Sequence, residues 1–73
     1  MEKNIWQEMK TQWPSAIVAR PEMPAFSGGA VSSKLCANAD CDGTGIEGRF
    51  YIGRKVVYPV DNAIDWLRAR ARK

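Results

Sequence analysis

Lys34 and Asn38 stand four residues apart, a spacing that puts two side chains on one face of a helix. Both carry groups suited to base edges: a lysine ammonium donates to guanine acceptors, and an asparagine amide bonds adenine through a donor and an acceptor together. Ser33, next to Lys34, adds a hydroxyl that can donate or accept. Ser32 precedes them as a helix cap. Farther on, Arg49, Arg54 and Lys55 bracket and follow a β-rich run. Long cations there suit phosphate oxygens or a narrow minor groove.

Other chemistry is poorly supplied. The chain has no His and two Cys, Cys36 and Cys41, so hydrolytic triads and His-ligated metals are excluded. Two thiols are half of a structural zinc site and read as reduced. Asn38, Asp40, Asp42 and Gly43 occupy positions one, three, five and six of a calcium loop, but position twelve is Arg49 and position eight is Gly45. This stretch reads as an Asx and Gly turn. No catalytic residue, metal or other cofactor is expected, and the chain is read as no enzyme with no small-molecule substrate.

The chain has 73 residues, 45% apolar and 26% charged, with a mean hydropathy of -0.37, a composition that folds as one domain around a modest core. No apolar run suits a bilayer span or a signal peptide, so a cytoplasmic location with no membrane contact is expected. Charge is unevenly placed. Residues 1–48 hold four basic and six acidic side chains, net -2, whereas residues 49–73 hold seven basic and two acidic, net +5. A cationic block of this kind is the footprint of a polyanion-binding surface.

The elements that must position these residues follow from pattern and punctuation. Ile5, Trp6, Met9 and Trp13 predict a helix over 4–13, capped by Asn4 and stopped by Pro14. Ile17 and Val18 read as extended. Arg20 to Phe26 allow one or two helical turns, then Ser27, Gly28 and Gly29 turn the chain. Ser32 caps a helix from Ser33 to Ala39, followed by a loop over 40–48. Phe50 to Ile52 and Lys55 to Tyr58 form a hairpin about Gly53-Arg54, a type II′ turn that pairs Phe50 with Val57 and Tyr51 with Val56. Both hairpin faces are then apolar: one is expected on the closing helix, the other on the N-terminal segment or a partner. Val60, Ala63, Ile64, Leu67 and Ala71, flanked by Trp66, stripe the closing helix.

From Ser27 onward the ordered set resembles the small prophage-type winged helix-turn-helix proteins of the excisionase and MerR-like kind. The matching residues are Gly28, Gly29, Ser32, Lys34, Ala37, Asn38, Asp40, Gly43, Gly45, Ile52, Gly53, Arg54, Lys55, Tyr58, Pro59, Val60, Trp66, Leu67 and Arg70. The chain departs from that pattern at Leu35, Cys36, Ala39 and Cys41. The resemblance implies an α+β, mostly helical fold, a winged helix-turn-helix with a two-stranded wing and a closing C-terminal helix over 17–73, and an N-terminal helical extension over 1–16. It further implies a sequence-specific protein of a phage or integrated element. Its partner is double-stranded DNA, with an integrase or a second copy beside it, and its role is that of a recombination directionality factor or a transcriptional regulator. Ser33, Lys34 and Asn38 would contact bases; Ser32, Arg49, Arg54 and Lys55 would hold the backbone. The alternative class is a protein-interaction adaptor that docks through Trp6, Met9 and Trp13.

Overall fold

The structure, a computed structural model, describes residues 4–72. It is an α+β domain of four α-helices and a three-stranded antiparallel sheet in the order β1-β3-β2. The first helix, α1 (Ile5–Gln12), starts where the Asn4 side chain accepts the Trp6 and Gln7 amides, satisfying donors that a helix start leaves open. Trp13 follows it, and its indole N–H donates to the Ile17 carbonyl at 2.9 Å while its ring meets Phe26 edge-on at 5.2 Å. The turn after α1 is thereby tied to the next element.

That element is β1 (Ile17–Ala19), which pairs with β3 (Lys55–Pro59) in the register Ile17↔Pro59, Val18↔Tyr58, Ala19↔Val57. The hairpin expected as a two-stranded sheet is thus part of a three-stranded one. Three residues are too few to reveal a period of two, and their partner lies some forty residues away in sequence. A 3-10 turn (Arg20–Glu22) and the one-turn α2 (Met23–Phe26) bring Met23 and Phe26 into the core.

The third helix, α3 (Ser33–Asp42), begins as expected: Ser32 accepts the Leu35 amide at 3.0 Å. It ends three residues later than expected. Asp40, Cys41 and Asp42 are helical, and Gly43 at φ 89° makes the stop, with the Thr44 amide reaching back to the Ala39 carbonyl. A left-handed glycine with that return bond is the usual way to close a helix. After the loop, β2 (Phe50–Ile52) and β3 form the expected hairpin with Phe50↔Val57, Tyr51↔Val56 and Ile52↔Lys55. Gly53 has φ 62°, as the first central position of a type II′ turn requires.

The closing helix, α4 (Val60–Arg70), buries Val60, Ala63, Ile64 and Leu67, whereas Ala71, expected on the same stripe, is its exposed, extended C-cap, because the helix ends one residue short of it. They join Val18, Met23, Phe26, Val31, Cys36, Ile46, Val56 and Tyr58 in one core, against which Trp6, Met9, Trp13, Leu35 and Trp66 pack. An exposed ion pair, Lys10–Asp61 at 2.8 Å, lies between α1 and α4 and adds little to stability. None of the helices among the described residues is long and apolar enough to cross a membrane.

Candidate nucleic-acid interface

On α3 the buried residues are Cys36, Ala39 and Asp40. Lys34, Asn38 and Cys41 are exposed, at helical steps that place them on one face. The two residues with base-reading chemistry are therefore side by side and turned to solvent. Ser33 is half-buried at the edge of that face, and the Ser32 oxygen is engaged as the cap. Asp40 and Asp42 point elsewhere: Asp40 into the protein, and Asp42 to the Thr44 amide and hydroxyl, whose hydrogen bonds hold its carboxyl below the usual range. Cys36 and Cys41 are both free, one buried and one exposed. Burial, with Asp40 nearby, pushes the Cys36 thiol up.

What aims α3 is a polar cluster absent from the sequence expectations. The Tyr58 hydroxyl on β3 donates to Asp40 Oδ2 at 2.6 Å. Arg20, just past β1, donates from Nε to the same hydroxyl at 2.9 Å and from Nη2 to Asp40 Oδ2 at 2.7 Å. One side chain from each of three elements thus converges, and helix α3 cannot slide on the sheet without breaking them. Tyr58 is fully buried. Burial, and then the bond to Asp40, push its hydroxyl up to about 12, while the Tyr58 bond strengthens the hold of Arg20 on its proton. Asp40 Oδ1 is buried without a hydrogen-bond partner among the described residues. It faces Gly45, where any Cβ would overlap that oxygen and lie 2.8 Å from the Asp40 backbone. Gly45 therefore lets the loop close over α3. Lone Asp and Tyr residues on different elements carry no sequence signal of such pairing.

The hairpin supplies cations. Arg49, Arg54 and Lys55 are exposed, and none forms an ion pair among the described residues. One expectation fails here. Val56 and Val57 are buried, yet Phe50, Tyr51 and Ile52 are 44, 67 and 53% exposed, so β2 is covered neither by the closing helix nor by the N-terminal segment. The apolar residues on both hairpin faces were the signal that could have flagged it. On α4, Arg70 lies over the Trp66 ring at 4.8 Å and Arg68 over Trp6 at 5.9 Å, within cation–π range. Trp66 is itself tied by its indole N–H to the Thr44 carbonyl.

No family model, curated protein or solved structure matches the chain. Among the described residues no group of three or more His, Cys, Asp or Glu is arranged to hold a metal ion.

Proposed function

We propose that this chain is a non-enzymatic, sequence-specific DNA-binding protein of winged helix-turn-helix type, in which α3 lies in the major groove and the β2–β3 hairpin acts as the wing. The observation that carries the reading is the exposed Lys34–Asn38 face on a helix locked to a sheet whose hairpin and its base hold three cations that form no ion pair among the described residues. Lys34 and Asn38 read base edges, with Ser33 at the margin, and Ser32, Arg49, Arg54 and Lys55 hold the backbone. The net +5 of residues 49–73 provides the long-range attraction.

The resemblance from Ser27 onward supports a role in a phage or integrated element, as a recombination directionality factor or a transcriptional regulator in the cytoplasm. A module of this size makes few base contacts, so an integrase or a second copy on adjacent DNA is the natural partner. Trp6, Met9 and Trp13 are packed on the core, which favours a structural role for them over the docking surface of an adaptor.

The test is a fluorescence-anisotropy salt titration on duplex DNA. Arg54→Ala weakens binding to all sequences and lowers the salt slope by about one. Lys34→Ala narrows the gap between preferred and unrelated sites by about 1–3 kcal/mol. Unchanged slope and unchanged sequence preference in the two variants would end the reading.

A further inference from the structure

The hairpin presents more than charge. All three residues of β2 are large, apolar and about half exposed or more, although β2 is an edge strand of the sheet. The register puts Phe50 and Ile52 on the face opposite Val18, Val56 and Tyr58, which point into the core. Tyr51 shares the core face but is 67% exposed. Exposed apolar strand edges are ordinarily selected against because they aggregate, so their occurrence at the tip of a rigid turn calls for an occupant.

Charge decides which occupant fits. Arg49, Arg54 and Lys55 surround the apolar residues, and no acidic residue occurs from Gly48 to Val60. A second copy of this edge would bring like cations together, and an apolar protein groove would bury them unpaired. Nucleic acid offers both halves of the match: phosphates for the cations and stacked bases for the apolar side chains.

We propose that the hairpin is a wedge for duplex DNA: its cations grip phosphates on either side of the minor groove while Phe50 and Ile52 enter between two base pairs, unstack that step and kink the duplex. The proposal rests on the DNA-binding reading above. Apolar wedges of this kind bend DNA by about 20–90°, and pyrimidine–purine steps open most easily.

The experiment uses the full chain and an alternating dA-dT duplex of about two helical turns. One adenine is replaced by the fluorescent base 2-aminopurine, and the ends carry an energy-transfer pair. Every second step is TA, and a set of duplexes carries the 2-aminopurine at successive adenines, so unstacking is read wherever the protein binds. The unmodified protein is expected to raise 2-aminopurine emission and bring the ends closer. The variant F50A/I52A, whose lost side chains are exposed and whose fold is checked by circular dichroism, binds within about tenfold of the parent but loses both signals. Phe50→Leu, still apolar, keeps them.

Retention of both signals by F50A/I52A overturns the wedge, as does binding by the parent without either signal; the DNA reading survives both results. Loss of all binding in F50A/I52A with rescue in Phe50→Leu supports the apolar contact, and loss without rescue overturns it. Tighter binding of the parent to the single strand than to the duplex overturns the wedge in favour of simple stacking. Failure of the parent to bind any DNA removes the DNA reading itself.

Discussion

Two parts of the molecule invert the usual polarity of a small domain. Behind α3, Arg20, Asp40 and Tyr58 place ionic and hydroxyl groups where the core is. At the hairpin, Phe50, Tyr51 and Ile52 place apolar groups in water. The first group is held by hydrogen bonds among its own members, and the second is about half exposed or more. A buried polar cluster with short, directional bonds specifies one orientation of the elements it joins, because any other leaves charge unpaired. An exposed apolar cluster specifies nothing about the fold and is available to another molecule. The lock therefore belongs to the architecture of the chain, and the tip to its encounters.

The contrast can be broken from the lock outward. Asp40→Ala leaves Arg20 and Tyr58 without their acceptor and is expected to lower unfolding free energy by about 2–3 kcal/mol. That is below the full cost of a buried broken pair, because the Arg20 side chain keeps 26% exposure. Urea unfolding measures it; a loss below about 0.5 kcal/mol would mean that the cluster does not hold α3.

Tyr58→Phe deletes only one hydroxyl, since Arg20 still reaches Asp40, and the expected loss is about 1 kcal/mol at neutral pH. The same variant has a pH signature. Folded Tyr58 keeps its proton up to about 12, against an ordinary 10.0. Between these values the unfolded chain binds fewer protons, so this contribution is complete below pH 10 and is lost as pH rises toward 12. Removing the hydroxyl removes that part of the alkaline slope, as thermal melts across the window would register.

Substitutions at the tip sharpen the comparison from the other side. Phe50→Ser with Ile52→Ser is expected to change stability by less than about 0.5 kcal/mol, since neither side chain is buried. A loss of 2 kcal/mol or so in urea unfolding would place these side chains in the core and erase the distinction.

Much of the local order was legible in single residues. Asn4 and Ser32 start helices because their side chains accept orphan amides, Pro14 ends the reach of α1, and Gly53-Arg54 sets the hairpin register. The same logic stopped short at α3. Asp40 to Asp42 read as loop formers because Asp and Gly crowd the stretch, whereas the left-handed Gly43 let the helix run on to its true end. Of the candidate interface, Lys34 and Asn38 share an exposed face as their spacing required, while Ser33 falls at its margin because it lies a quarter-turn away. The β2 side chains were misplaced because a strand with apolar residues on both faces says nothing about which elements are near enough to cover it.

What this sequence determined by itself is therefore what acts over a few residues: where helices begin, how the hairpin turns, and where the positive charge lies along the chain. Only the tertiary structure decided that β1 completes the sheet with β3, that Asp40 turns inward to meet Arg20 and Tyr58, and that β2 stays uncovered. Caps, turns and periodicities are satisfied by near neighbours. The partners of Ala19, Arg20 and Asp40 lie 18 to 38 residues away, and such contacts exist only once the core has brought those elements together.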